Sequence, residues 1–148
     1  MAGDWERIDT GSPDRRMMVG VRDVALRHEP LIADASFDDP LDPQELRLHV
    51  DGGITNDSGR FDVTWTDRRC YRYHYTEGDG FDARYDRHPR PDVPDRHFHE
   101  PPDAEHDDAV PCCIGVESVQ LVTLAVLQLW RDAVESGEPA RLQGGDPP

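Results

Sequence analysis

The chain has 148 residues, enough to bury one hydrophobic core and the length of a single domain. Its 31 acidic residues outnumber 16 basic residues, all of them arginine, and give a formal net charge of −15. This lysine-free composition indicates a very salty cytoplasm, where the Debye length is about 3 Å or less and charge repulsion is screened. The charge therefore does not exclude nucleic acid as a partner, because phosphate binding depends on where individual arginines lie.

Several classes of protein are excluded by the sequence. Residues 1–14 are acidic and contain no apolar segment, so they do not form a signal peptide. No apolar run approaches the ~20 residues that a membrane-spanning helix requires. Cys70, Cys112 and Cys113 form no C-x-x-C pair, which favours a reducing compartment and argues against a zinc ribbon. We therefore expect a soluble, cytoplasmic protein that has no cofactor and no membrane contact.

The N-terminal part of the chain predicts an arm, a helix and a strand. Residues 1–11 are predicted to form a flexible arm. Ser12 and Pro13 form a typical helix start, with serine as the N-cap and proline in the first turn. Pro30 ends this helix, and Leu31–Phe37 are predicted to form a strand. Apolar residues recur at helical spacing between these signals: Met17, Met18, Val21, Val24 and Ala25.

From Gln44 to Tyr85 the hydrophobic pattern alternates, and glycine-containing turns interrupt it. This pattern predicts an antiparallel meander with one apolar, aromatic face and one polar face. The apolar face would carry Leu46, Leu48, Val50, Phe61, Val63, Trp65, Tyr71, Tyr73 and Tyr75. The polar face would carry Arg47, His49, Arg72, His74, Arg84 and Asp86. Its cations form either a binding surface or an ordinary solvent-facing set of salt bridges.

The C-terminal part predicts a long, mostly buried helix. Val116–Glu135 is apolar around much of its circumference, and Gly137 and Pro139 supply a stop signal. Residues 138–148 are predicted to form a disordered tail. The predicted fold is one α+β domain over residues 12–137, in which four to six antiparallel strands pack under the N-terminal helix and this C-terminal helix.

The segment Arg84–Pro102 concentrates titratable side chains between five prolines, as binding or catalytic loops do. It contains three histidines, His88, His97 and His99. An extended backbone through the H-F-H sequence would place the last two imidazoles on one face and Phe98 on the other. Paired imidazoles can bind a metal ion or transfer protons. Alternatively, these histidines are solvated or hydrogen-bonded loop residues.

The sequence YRYHY at Tyr71–Tyr75, followed by RYD at Arg84–Asp86 and H-x-H at His97–His99, resembles the TumE-type toxin family of archaeal toxin–antitoxin pairs. The resemblance covers roughly residues 44–103, with a comparable helical N-terminal part. The chain departs from the family pattern at Arg87, at His88-Pro89 and at Phe98. The resemblance implies a toxin that a cognate antitoxin, encoded beside it, neutralises. With the acidic composition it indicates a haloarchaeal-type member.

The first candidate target is RNA or another nucleotide-bearing molecule. Metal-independent RNA cleavage needs a base for the 2′-hydroxyl, an acid for the leaving oxygen and a cation for the crowded phosphate. His97 and His99, or His88, are candidates for the base and the acid, and Arg84 for the cation. Asp86 could orient one of the imidazoles and fix its tautomer.

Five further residues are candidates for binding. Tyr73 and Tyr85 could stack a base. Arg72 and His74 belong to the cationic side of the predicted sheet. Arg96 is an alternative phosphate ligand, although strict alternation points it away from the two neighbouring histidines.

Two alternatives belong to other functional classes. His88, His97, His99 and Asp86 could supply nitrogen and oxygen ligands to zinc or another divalent ion in an interaction module. The chain could instead be a structural homodimer that associates through the apolar helix 116–135 and performs no chemistry.

Overall fold

The structure is a computed structural model that describes residues 10–78, 80–88, 95–105 and 109–144. Within them, seven antiparallel strands form one sheet, in the order β1 to β7, and two helices pack on one face. This confirms the predicted α+β meander. The elements are α1 (Arg15–His28), β1 (Ile32–Phe37), β2 (Leu46–Val50), β3 (Gly59–Trp65), β4 (Tyr71–Glu77), β5 (Phe81–Arg87), β6 (Arg96–His99), β7 (Ala109–Pro111) and α2 (Val119–Ser136).

The core lies between the helices and the apolar face of the sheet. Side chains along β2 to β5 alternate between buried and more exposed positions, as the sequence predicts. The ring of Tyr75 lies 6.1 Å from that of Trp130 in α2. The indole nitrogen of Trp65 donates a hydrogen bond to the Tyr73 hydroxyl at 2.8 Å, and that hydroxyl lies 2.7 Å from Thr123 Oγ1. These bonds satisfy the polar side-chain atoms of Trp65, Tyr73 and Thr123 and join the sheet to α2.

The number of strands differs from the predicted four to six, and the difference lies where the sequence predicts the irregular segment Arg84–Pro102. Residues 84–87 of β5 pair with residues 96–99 of β6, and β7 extends the sheet beyond them. Pro101 and Pro102 follow the paired residues, so they interrupt no ladder hydrogen bond between β5 and β6; the other three prolines of the segment lie outside the described residues. A high proline content over the segment therefore does not exclude strands within it.

The start of α1 corrects the predicted cap. Asp14 is the N-cap, and its carboxylate accepts a hydrogen bond from the backbone N–H of Met17 at 3.1 Å. Pro13, predicted to lie in the first turn, instead forms an isolated bridge with Thr66 of the β3–β4 connection. The helix ends at His28, just before Pro30, as predicted.

The start of α2 is also later than predicted. Ser118 caps the helix by accepting a hydrogen bond from Leu121 N–H at 3.1 Å, so the helix begins three residues after Val116. Its end agrees with the prediction, because Gly137 has a φ of 71°, which favours glycine. Nine residues of α2 are buried, and each large apolar side chain among them contributes about 1.5–3 kcal/mol. Of the helices that the described residues form, none is long and apolar enough to span a membrane.

Part of the predicted C-terminal tail packs on the domain. Residues 139–142 form a 3₁₀ turn, Leu142 is buried, and its carbonyl oxygen accepts a hydrogen bond from the Tyr85 hydroxyl. The prediction of disorder from residue 138 onward therefore does not hold for residues 138–144, and residues 145–148 lie outside the described part. Of the predicted arm, residues 1–11, the structure describes residues 10 and 11.

Glu77, at the end of β4, is a buried carboxylate that organises the preceding β2–β3 loop. It accepts hydrogen bonds from the backbone N–H groups of Ile54, Thr55 (2.9 Å) and Asn56 (2.8 Å), and from the Tyr75 hydroxyl. Burial alone would raise the pKa of Glu77, but these hydrogen bonds outweigh it and hold the pKa below its ordinary value. The ionised carboxylate therefore stabilises the fold.

We expect Glu77→Gln to lower the free energy of unfolding by about 2–4 kcal/mol at neutral pH, because an amide cannot accept all these hydrogen bonds. The folded pKa lies below the unfolded value of about 4.3, so this stabilisation is present above pH ~4.3 and is lost as pH falls through the folded pKa. Denaturant unfolding at several pH values measures it. The exposed Glu138→Gln is the control, with a change within about 0.5 kcal/mol. If the free energy of unfolding fell equally with decreasing pH in wild type and Glu77→Gln, ionised Glu77 would not be the source of this stabilisation.

Candidate functional site

Strand register gathers arginine, aspartate and histidine side chains on the face of the sheet that is opposite the helices. Arg72 of β4 pairs with Asp86 of β5, and Asp86 pairs with His97 of β6. Two residues along the strands, Arg84 pairs with His99. Because alternate residues of a strand share a face, all five side chains project to the same side.

Asp86 is the centre of this cluster. Its side chain is fully buried, and Oδ2 lies 2.8 Å from Arg84 Nε, 3.2 Å from His99 Nε2 and 3.5 Å from His97 Nε2. Arg72 Nε lies 3.4 Å from the other oxygen. Burial would raise the pKa of Asp86, but the two imidazoles and the two guanidinium charges outweigh it and hold the pKa well below its usual range. Asp86 is therefore ionised at neutral pH.

Both ring nitrogens of His99 have polar neighbours. Nδ1 lies 2.7 Å from the carbonyl oxygen of Glu105, which can only accept a hydrogen bond. Nε2 lies 3.0 Å from Arg84 Nη2, which can only donate, and 3.2 Å from Asp86 Oδ2, which can only accept. Asp86 therefore lies close to both imidazoles of the H-x-H pair, and its role as the residue that orients a histidine stays a prediction.

The three histidines form a row that leads from the interior towards the surface. The ring centroids of His99 and His97 are 5.0 Å apart, and those of His97 and His88 are 4.9 Å apart. This confirms that the H-x-H imidazoles share a face. His97 and His99 are fully buried, however, whereas His88 is only partly buried. His88, the alternative among the predicted proton-transfer residues, is therefore the one that a substrate can reach directly.

A pocket of about 240 Å³ opens beside His88. Arg72 and Arg87 also line it, and Arg72 connects it to the buried cluster through its ion pair with Asp86. The other lining residues are Thr10, Thr64, Thr66, Cys70 and Tyr71. The pocket is smaller than the pockets of drug-sized ligands, which are about 300–1,000 Å³.

Three predicted binding residues do not join this site. Tyr73 and Tyr85 are each 1% exposed in the core, so their predicted role as stacking platforms is wrong for the folded chain. Their burial raises the pKa of both hydroxyls. Arg96 follows strict alternation: it points away from the histidines and pairs with Glu117 at 3.1 Å. His74 does lie on the polar face, where its Nε2 is 2.9 Å from Asp82.

The sequence did not single out two residues that the structure adds to the pocket. Alternation along β4 extends to Cys70, which lies two residues before Arg72, and burial raises the pKa of its thiol. Arg87 follows Asp86 directly and reaches the pocket at the end of β5, where Asp95 holds its Nε at 3.1 Å. Period-2 spacing could have identified Cys70, but no sequence signal predicts that Arg87 reaches this side.

The same cluster contains a possible cation site. Asp86, His88 and His97 each offer one ligand atom, and these atoms lie within 4.8 Å of one another. Two imidazoles and a carboxylate suit zinc and other transition metals. Arg72 and Arg84 flank the same carboxylate, so they compete with any cation for it.

A family model described as Toxin TumE matches residues 22–136, which is more than half of the chain. The chain belongs to the TumE toxin family. The match includes α2, which lies beyond the part of the chain that the sequence motifs cover. Neither the curated proteins nor the solved structures contain a significant match.

We expect Asp86→Asn to destabilise this TumE-family protein by about 3 kcal/mol or more, because it leaves the Arg84 guanidinium partly buried without its counter-charge. The matched control is Asp82→Asn, which removes a half-exposed carboxylate from the same strand and should cost about 1 kcal/mol or less. Denaturant unfolding monitored by circular dichroism measures both. Equal losses in the two variants would show that Asp86 is not the centre of the cluster.

Proposed function

We propose that the chain is the toxin of a toxin–antitoxin pair and that it cleaves RNA, without a metal ion, in the pocket beside His88. One observation supports this most directly: Arg72, Arg87 and His88 line the same pocket in a chain of net charge −15. Guanidinium groups bind phosphate through directed N–H donors. Imidazole transfers protons near neutral pH. A phosphate ester is therefore the substrate class that this pocket fits best.

In the proposed reaction, RNA supplies the nucleophile. An imidazole nitrogen of His88 takes the proton of the 2′-hydroxyl, and the 2′-oxygen forms a bond to phosphorus. The bond from phosphorus to the 5′-oxygen breaks, and that oxygen takes a proton from the His88 imidazolium or from water. Arg72 and Arg87 stabilise the negative charge on the phosphoryl oxygens. The products are a cyclic phosphate and a 5′-hydroxyl end.

The buried residues act as positioning residues in this scheme. The His97 ring packs edge-on against His88, and its Nε2 lies 3.5 Å from the Asp86 carboxylate. Asp86 holds Arg72 at the pocket and Arg84 behind it. Because β4, β5 and β6 are hydrogen-bonded to one another, these side chains are held in fixed geometry before substrate arrives.

The charge around Asp86 favours an anion over a metal ion. Arg72 and Arg84 both contact its carboxylate and supply two positive charges beside it. These guanidinium groups repel a divalent cation and attract a phosphate. The ligand spacing of Asp86, His88 and His97 nevertheless makes a metal-binding module the second candidate function.

Membership of a toxin family supports an antitoxin protein as partner. Homodimerisation through α2 stays a prediction. Most apolar side chains of that helix pack inside the chain. The most exposed large apolar residue of α2 is Leu121, at 43%. Adaptation to a salty cytoplasm also stays a proposal, which rests on the acidic, lysine-free composition.

We expect expression of the wild type without its antitoxin to arrest growth, and His88→Ala to abolish the arrest. The purified protein should cleave single-stranded RNA in high salt with a chelator present, and His88→Ala should lower kcat/KM by about 10²–10⁴-fold, the usual contribution of a proton-transfer residue. His28→Ala, at the exposed end of α1, is the matched control and should behave as wild type.

The outcomes separate the parts of this proposal. A harmless wild type would remove the toxin assignment. Growth arrest without RNA cleavage would keep the toxin and exclude RNA as its target. Retained toxicity in a folded His88→Ala protein would move the reaction away from this pocket.

We expect equilibrium dialysis against Zn²⁺ to give less than one bound ion per chain, because Arg72 and Arg84 compete for the Asp86 carboxylate. Elemental analysis after dialysis measures the stoichiometry. One tightly bound ion in the wild type and in His28→Ala, but none in His88→Ala, would favour the metal-binding module instead.

A further inference from the structure

A second arginine–aspartate–arginine group lies on the polar face, outside the pocket. Asp62 of β3 lies 2.9 Å from Arg60 Nε and 4.0 Å from Arg47 Nε. Both arginines are more than 40% exposed, so their guanidinium groups reach solvent. The arrangement resembles that of Asp86 between Arg72 and Arg84.

The two groups lie within reach of one extended ligand. Asp62 pairs with His74 of β4, and His74 pairs with Arg84 of β5, two residues before Asp86. Two strand spacings and two residues along a strand place the aspartates about 12 Å apart. Partly exposed His74 lies between the groups on the same face.

Charge distinguishes the two directions in which a polyanion could leave the pocket. Towards β6 and β7 it would meet the carboxylates of Glu100, Asp103 and Glu105, which line one surface depression. Towards β3 and β2 it would meet Arg60 and Arg47. Glu45 pairs with Arg47 at 3.0 Å, and the charges of Asp62 and Asp38 also act on Arg47. In a chain of net charge −15, exposed guanidinium groups beside carboxylates are a more favourable direction for a polyanion than a depression whose charged lining residues are all carboxylates.

From these positions we infer that Arg47 and Arg60 form a second phosphate subsite, which binds single-stranded RNA as it extends from the His88 pocket across β4 to β3 and β2. The subsite rests on the proposed function and specifies its substrate: a single strand of several nucleotides, because a single strand can follow the open sheet face. Asp62 contacts both guanidinium groups and competes with a phosphate for them.

The test compares RNA of two lengths. Cleavage of a labelled dinucleotide and a labelled octanucleotide is measured at the lowest salt at which the protein stays folded. We expect R47Q/R60Q to raise KM for the octanucleotide by about five- to tenfold and to leave kcat and the dinucleotide unchanged. The control R16Q/R27Q removes the same charge from exposed positions of α1 and should change neither substrate. Asp62→Asn should act in the opposite direction and lower KM for the octanucleotide.

A binding measurement separates this inference from the proposed reaction. A single-stranded DNA octanucleotide lacks the 2′-hydroxyl and cannot be cleaved by this route, so its binding is followed by fluorescence anisotropy against salt. R47Q/R60Q should lower the slope of log K against log salt by about 0.7 per lost phosphate contact.

The possible results lead to different conclusions. If no RNA is cleaved but the salt slope falls in R47Q/R60Q, the proposed reaction fails and the subsite stands. If RNA is cleaved but R47Q/R60Q changes neither the KM difference between the two RNA lengths nor the salt slope, the subsite is wrong and the proposed reaction stands. If R47Q/R60Q handles RNA normally but escapes neutralisation by the antitoxin, the patch belongs to the protein partner and the RNA subsite is overturned.

Discussion

The position of Asp86 constrains the surrounding sheet. A buried carboxylate costs several kcal/mol unless donors surround it. Here Arg84 and Arg72 contact the carboxylate, and the Nε2 atoms of two imidazoles lie within 3.5 Å of it. These partners come from β4, β5 and β6, so satisfying one carboxylate requires the correct register of three strands. A slip of one residue would turn Asp86 towards the aromatic core, where the described contacts include no such donors. The contacts of Asp86 therefore add a constraint on the register of these strands to the one that the aromatic face provides.

The same sheet separates two kinds of chemistry. On one face, aromatic side chains pack against α2 and bury its apolar surface, which provides most of the stability. On the other, arginines alternate with aspartates, and the negative charge that dominates the chain is balanced locally. In a protein of net charge −15, this face is where a phosphate backbone can approach with the least repulsion. The RNA binding proposed above therefore does not require an overall basic surface.

Alternation in the sequence predicted the fold and the contents of both faces, because period-2 patterning depends only on which side chains contact the core. It did not predict burial on the polar face. His97 and His99 are covered because residues 100–105 fold back, with Glu105 bonding His99 and Pro102 accepting a hydrogen bond from Asp82, and such long-range contacts leave no periodic signal. The stacking role of Tyr73 conflicted with the alternation itself, which already placed that ring in the core. The aromatic side chain suggested a stacking role for Tyr73, but its position in the core excludes that role.

The three histidines differ in what they contact. His97 and His99 are fully buried, and their Nε2 atoms lie 3.5 Å and 3.2 Å from the Asp86 carboxylate. The ring of His88 packs edge-on against that of His97 and lines the pocket together with Arg72, which pairs with the same carboxylate. Pairing between β4, β5 and β6 therefore fixes the neighbours of His88. An imidazole that lies at a pocket, beside side chains held by paired strands, is the arrangement that the proposed proton transfer requires.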